Sequence, residues 1–150
     1  MNGISWRFLA FHELTSVELY AVLRLRSEVF VVDQVCIFQD MDGADLEAMH
    51  LLGTLEGALV AYARCFAAGV KFAEASIGRI ATRDSVRGSG VGHALVEKAA
   101  TCLFRQWGPQ AIRIGAQARL DAFYRQHGFE KAGPQYLEDG IPHIEMLRSV

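Results

Sequence analysis

Six consecutive residues, Arg87-Gly88-Ser89-Gly90-Val91-Gly92, constrain this chain more than any other stretch. They follow the strand-like run Ile77-Gly78-Arg79-Ile80-Ala81-Thr82 and open the helix-like run His93 to Trp107. A backbone that leaves a strand through alternate glycines and enters a helix turns several N–H groups toward one point, on a side cleared of Cβ atoms. That point wants an anion. The helix terminus contributes about 0.3–2 kcal/mol and each hydrogen bond to a charged group about 1.5–3 kcal/mol, so the converging amides dominate. Pyrophosphate is the best-shaped guest, and Arg87 adds a charge to hold the loop or a phosphate.

Three known glycine signatures do not fit. His93 stands where the dinucleotide fingerprint needs its third glycine, and no Gly-Lys pair exists for a triphosphate loop. Arg87 occupies the first glycine of a Gly-x-Ser-x-Gly nucleophile elbow.

With 150 residues the chain is expected to form one domain, 1–150, so any site is a cleft in one fold or an oligomer interface. An apolar share of 51% with 21% charged residues fits a globular protein and is rich enough to suggest a dimer interface. A formal charge of −2 with scattered arginines gives no basic field for nucleic acid or an anionic membrane. Lacking an apolar span or an apolar N-terminal segment, the chain is expected in the cytoplasm. Cys36, Cys65 and Cys102 lack paired spacing and read as reduced thiols, Cys102 in the core and Cys36, in a loop, as the one candidate for reactivity. Asp40 to Asp45 hints at a calcium loop, but Asp45 stands at the sixth position, where glycine is needed, and no metal is expected.

Ile4 to Phe11 reads as a first strand, and Thr15-Ser16-Val17-Glu18 has the capping-box order for a helix running to about Val31, burying the stem of Arg26. Asp33 to Met49 is then a long polar connection. His50–Leu55 and Ala58–Phe66 form strands around a Glu56-Gly57 turn, and the next strand enters the glycine segment. Ala111–Gln117 is a strand, and Leu120–His127 a short helix stopped by Gly128 in a left-handed cap. Phe129–Ala132 and His143–Arg148 complete the strands around a turn at 138–142. This order predicts an α/β fold: a mixed central sheet with helices on both faces.

Arg87-Gly88-Ser89-Gly90-Val91-Gly92 resembles the acetyl-CoA-binding motif of the GNAT N-acetyltransferases, written Gln or Arg, any two residues, Gly, any residue, Gly or Ala. Gln117 through Phe129, with Phe123-Tyr124 and Gly128-Phe129, is similar to the family's second signature, although Gln117 replaces the usual Asn and Leu120 a common small residue. The segments Arg26–Gln34, Gln39–Asp42 and Tyr136–Ile144 resemble the ElaA-like branch, so the likeness spans nearly the whole chain. It implies the GNAT acyl-CoA N-acyltransferase fold, acetyl-CoA as cofactor, direct transfer to an amine of a small molecule or peptide, and a homodimer.

The resemblance also implies roles. The diphosphate of coenzyme A falls to Arg87, Gly88, Ser89, Gly90, Val91 and Gly92; the strand Ile80, Ala81, Thr82 should splay from its neighbour and offer main-chain groups to the pantetheine and thioester; Gln117, Phe123 and Tyr124 complete the cofactor contacts. Tyr124 stands where the family often places a general acid for the departing thiolate, and alternatively packs beside Phe123 and Phe129. Glu28, Asp40, Asp42, Glu138, Asp139 and His143 are the candidates to receive the amine proton, with His143 the catalytic choice and a core hydrogen bond its alternative. Two other readings stay open: an acyl-homoserine-lactone-synthase-like acyltransferase, echoed by Arg26 to Phe30, and a CoA-binding regulatory module without turnover.

Overall fold

A computed structural model describes residues 3–150. The strands are β1 (Ile4–Ala10), β2 (Met49–Leu55), β3 (Ala58–Phe66), β4 (Ala75–Thr82), β5 (Ile112–Gln117), β6 (Glu130–Lys131), β7 (Tyr136–Glu138) and β8 (Ile141–Arg148). The helices are α1 (Ser16–Arg26), α2 (Val91–Trp107) and α3 (Asp121–Arg125). The sheet runs β1-β2-β3-β4-β5-β8-β6, with β7 also on β8, and every pairing is antiparallel except β4 with β5. The mixed sheet expected from the sequence is therefore present, with one parallel seam spanned by the α2 crossover.

Side-chain alternation along the strands divides the interior in two. Leu51, Ala61, Ala63, Ile112, Ile114 and Met146 face α2, whose buried stripe is Val91, Leu95, Val96, Ala99, Ala100, Cys102 and Leu103. Leu52, Leu59, Tyr62 and Ala81 turn the other way, onto Val22, Leu25 and Val29. Each fully buried leucine or valine contributes about 1.5–3 kcal/mol, so both helices are held by their apolar stripes.

Local signals act where the sequence places them. Thr15 Oγ1 accepts from the Glu18 N–H at 3.1 Å and Glu18 Oε1 from the Thr15 N–H at 2.9 Å, closing the capping box. Glu56 and Gly57, at φ +52° and +80°, make the positive-φ hairpin turn. After α3 the Phe129 N–H reaches the Tyr124 carbonyl and the Gly128 N–H that of Arg125, with Gly128 left-handed: a Schellman stop.

Several boundaries differ from the sequence reading. The first helix is α-helical only to Arg26, then widens into a π-type turn over Ser27–Asp33. α2 starts at Val91, directly after the left-handed Gly90, and not at His93. α3 is shorter than 120–127, and the turn read at 138–142 narrows to Asp139 and Gly140, whose positive φ makes a tight hairpin that pairs Tyr136–Glu138 with β8 from Ile141. Cys36, read as a loop residue, is buried against the hairpin, its Sγ donating to the Asp139 carbonyl at 3.3 Å. Among the described residues no helix is long and apolar enough to cross a membrane.

Candidate active site

The seam between β4 and β5 is paired at its start only, through Ala75 with Ile112 and Ser76 with Arg113. Beyond those residues the strands part. On its other side β4 is bulged: Tyr62 pairs Ala81 and Arg64 pairs Gly78, so two steps of β3 face three of β4. Arg79 takes up the extra residue at φ +47°, an unusual conformation for a residue with a Cβ. The splay and bulge open a cleft of about 460 Å³ in the middle of the sheet.

Of the residues singled out in the sequence, Cys36, Ile80, Thr82, Arg87, Gln117, Tyr124, Glu138, Asp139 and His143 line this cleft. Ala81 does not; it is buried against Val22 and Leu25 on the α1 face. Gly88 to Gly92 lie beyond Arg87, outside the cleft lining. Gly88 and Gly90 sit at φ +81° and +87°, and a Cβ on either would meet nothing within 4 Å. The requirement for glycine there is thus conformational, and the space above the turn is open. Val91 is a core residue, and Phe123 packs against Gly92 and the His93 ring, not into the cleft.

Arg87 joins both ends of the turn. Its guanidinium reaches the Thr82 carbonyl at 3.1 Å, Asp33 at 3.3 Å and Asp84 at 3.4 Å, while Ser89 Oγ donates to the Val86 carbonyl. The side chain that read as a phosphate ligand therefore also ties the glycine turn to the end of the first helix.

Tyr124 is 7% exposed, edge-on to Phe123 and Phe129, and burial pushes its phenol up to about 12. It stays protonated across the neutral range. His143 is 8% exposed, and its Nδ1 lies 2.7 Å from the Ile141 carbonyl. A carbonyl only accepts, so Nδ1 carries the hydrogen and Nε2 is the lone-pair nitrogen of the neutral ring. That Nε2 is 3.5 Å from Glu138 Oε2, and both belong to cleft-lining residues. The Tyr136 ring backs the imidazole at 5.8 Å, and its hydroxyl fills the place a Cβ on Gly115 would need.

Sequence reasoning missed a buried charge cluster behind the cleft. Arg26, 0% exposed in full and not merely along its stem, donates to Asp40 at 2.9 Å and Asp45 at 2.7 Å. Arg64 holds Asp45 and Asp42, and Arg79 donates from Nε to Asp40 Oδ1 at 2.8 Å while its guanidinium covers Phe38. Hydrogen bonds from Arg64 hold the Asp42 carboxyl well below the usual range; burial pushes Asp45 up, but Arg26 and Arg64 outweigh it and leave it lowered. Asp40 and Asp42, read as candidate acceptors for the amine proton, are thereby engaged with arginines, and Glu28 is engaged with Arg83 at 3.8 Å outside the cleft lining. The signal available in the sequence was the spacing of three aspartates in one loop beside arginines on α1, β3 and β4.

Known proteins share this fold. Residues 27–150 match the family description "Acetyltransferase (GNAT) domain". The chain is 42% identical to the protein ElaA of Escherichia coli K12 over 149 residues, covering 98% of this chain and 97% of ElaA. The crystal structure of Escherichia coli ElaA superposes with a TM-score of 0.90, covering 97% of this chain and 99% of that one. An acyl-CoA N-acyltransferase from Pseudomonas aeruginosa, 40% identical, superposes at 0.92 over 97% and 99% of the two chains. A GNAT family acetyltransferase from Elizabethkingia anophelis with acetyl-CoA bound, 11% identical and fully covered, shares the fold at 0.70. Identity running the length of both chains carries one conclusion: the protein belongs to the GNAT acetyltransferase family, a family of acyltransferases, and stands within it beside ElaA.

Proposed function

We infer that the protein is an acetyl-CoA-dependent N-acetyltransferase that moves the acetyl group directly onto a primary amine of a small molecule or peptide. One observation carries this: β4 and β5 open into a cleft with a bulged main chain on one wall, the glycine turn at one end and Tyr124 and His143 among its lining. The fit to the carrier rests on this chain. Gly88 and Gly90 leave open space above the amides of the turn, where a diphosphate finds hydrogen-bond donors, and Arg87 adds charge beside it. The relatives, an acyl-CoA N-acyltransferase and an acetyl-CoA-bound acetyltransferase, support the same carrier.

When bound, acetyl-CoA supplies the activated thioester. The protein's part is to deprotonate the amine, polarise the carbonyl and stabilise the departing sulfur. A typical alkyl ammonium, which in water loses its proton near pH 10.4, is neutral in roughly one molecule per few thousand at pH 7, so a proton acceptor is needed. His143 Nε2 is that acceptor, with Glu138 beside it to hold the incoming cation. The Ile80 main-chain N–H polarises the carbonyl. As the C–N bond forms and the C–S bond breaks, ammonium and thioester become amide and thiol, and one proton leaves to solvent.

The raised phenol decides how Tyr124 acts. Complete transfer of its proton to a thiolate of pKa about 8.5 is uphill, so Tyr124 works as a hydrogen-bond donor to the sulfur and remains a phenol. Losing a hydrogen bond to a charged group removes about 1.5–3 kcal/mol, or roughly 10- to 100-fold in rate. The test is incubation with acetyl-CoA and a mixed amine and peptide library, reading thiol release and acetylated mass. Amine-dependent thiol release is expected, with kcat of Tyr124→Phe lowered by that factor at saturating acetyl-CoA. Absence of acetylated product from every amine would refute the reading, and an undiminished Tyr124→Phe kcat would remove the residue's role.

A further inference from the structure

The cleft holds two charged features that the carrier does not need. On β4, Arg79 is fixed from behind: Nε donates to Asp40 Oδ1 at 2.8 Å, Nη2 to the Asp40 carbonyl at 3.1 Å, and the guanidinium lies over Phe38 at 5.6 Å. Its Nη1 has no protein partner among the described residues. Nor is it enclosed, since the buried side-chain atoms left unpaired are Arg64 Nε and Arg148 Nη1. The cluster behind Arg79 leaves charge over: Arg26, Arg64, Arg79 and Lys71 share only Asp40, Asp42 and Asp45. Four cations meet three carboxylates, and Arg79 is the member of that cluster lining the cleft.

The second feature is the pair on the β7–β8 hairpin. With its Nδ1 hydrogen on the Ile141 carbonyl, the uncharged form of the His143 ring presents Nε2 as an acceptor 3.5 Å from Glu138 Oε2, so the two side chains offer two acceptors side by side. An ammonium is the small group that satisfies both. A guanidinium with a spare donor on one strand and a two-acceptor pair on a hairpin of the same cleft suit opposite ends of one molecule.

We propose that the acetyl acceptor is an amino carboxylate, its carboxylate held by Arg79 Nη1 and its ammonium by Glu138 and His143. The proposal rests on the acetyl-transfer reading above and adds the acceptor class to it. Arg79 is then a specificity residue, preorganised by Asp40 so that little side-chain freedom is lost on binding.

Matched acceptors test this: tyrosine with tyramine, lysine with cadaverine, and leucine with isoamylamine, each assayed for kcat/KM with saturating acetyl-CoA. At least one amino acid is expected to exceed its decarboxylated partner by about 10- to 100-fold, the worth of one charge-assisted hydrogen bond. Arg79→Gln is expected to bring that ratio near one, and Arg79→Lys to retain part of it. Because the readout is a ratio within one preparation, partial loss of folded enzyme does not alter it. Equal or better use of the decarboxylated partners by the wild-type enzyme overturns the acceptor assignment and leaves acetyl transfer standing. A preference that survives Arg79→Gln overturns the role of Arg79. No thiol release from any acceptor, with no calorimetric binding of acetyl-CoA, overturns both readings.

Discussion

Gly115 shows how one residue sets the geometry of the cleft. It lies on β5 in the cleft wall, and a Cβ there would stand 2.9 Å from the Tyr136 hydroxyl. Tyr136 in turn backs His143, so Gly115→Ala is expected to push the ring outward and unsettle the imidazole. Overpacking of this kind costs about 1–3 kcal/mol, and kcat should fall roughly 10-fold or more. Removing the clashing oxygen with Tyr136→Phe in the same chain should restore most of the loss, a coupling that a double-mutant cycle reads directly. Additive losses would place the effect of Gly115 elsewhere. The glycine requirement at 88 and 90 was readable from spacing alone because positive φ is a local property; that at 115 was not, because it depends on a tyrosine 21 residues away that meets it only across the sheet.

At the scale of elements, the charge cluster joins the end of α1, the 40–45 loop, β3 and β4 into one wall behind the cleft. Arg26→Met leaves Asp40 and Asp45 short of a partner in a buried place, and breaking such pairs typically costs about 3–5 kcal/mol. The pH dependence follows from Asp42 and Asp45, whose carboxyls are lowered by folding. Their contribution is complete above the unfolded value of about 3.9 and is lost as pH falls through the lower folded values. Denaturant midpoints from pH 3 to 7 should show a wild-type plateau falling only below about pH 4, and an Arg26→Met profile that is lower and begins to fall at higher pH. Parallel profiles would show that Arg26 does not control these carboxyls. The capping box, hairpin turn and Gly128 stop were legible because each is decided within a few residues. The widening at Ser27–Asp33 was not, because its apolar spacing continues that of the α-helix; nor were the Arg26 pairs, whose aspartates lie 14 and 19 residues along the chain.

Across the whole molecule, one sheet is stitched continuously on either side of a single opening. β1 to β4 carry the α1 core, α2 crosses behind, and β5 with β8 completes the far half. The β4–β5 seam is a parallel pair between antiparallel halves, and its two paired positions leave the remaining main chain free to meet a ligand. Strand order made the fold readable in the sequence and spacing made the glycine turn after β4 readable, whereas Arg79, Cys36 and Phe38 enter the cleft only through tertiary packing. The most direct measurement is a crystal structure of the protein grown with acetyl-CoA. The expected result is a carrier threaded between β4 and β5, its thioester beside Ile80 and Tyr124 and its diphosphate on the amides of residues 88–92. A carrier bound elsewhere, or a β4–β5 cleft holding only solvent at saturating acetyl-CoA, would contradict it.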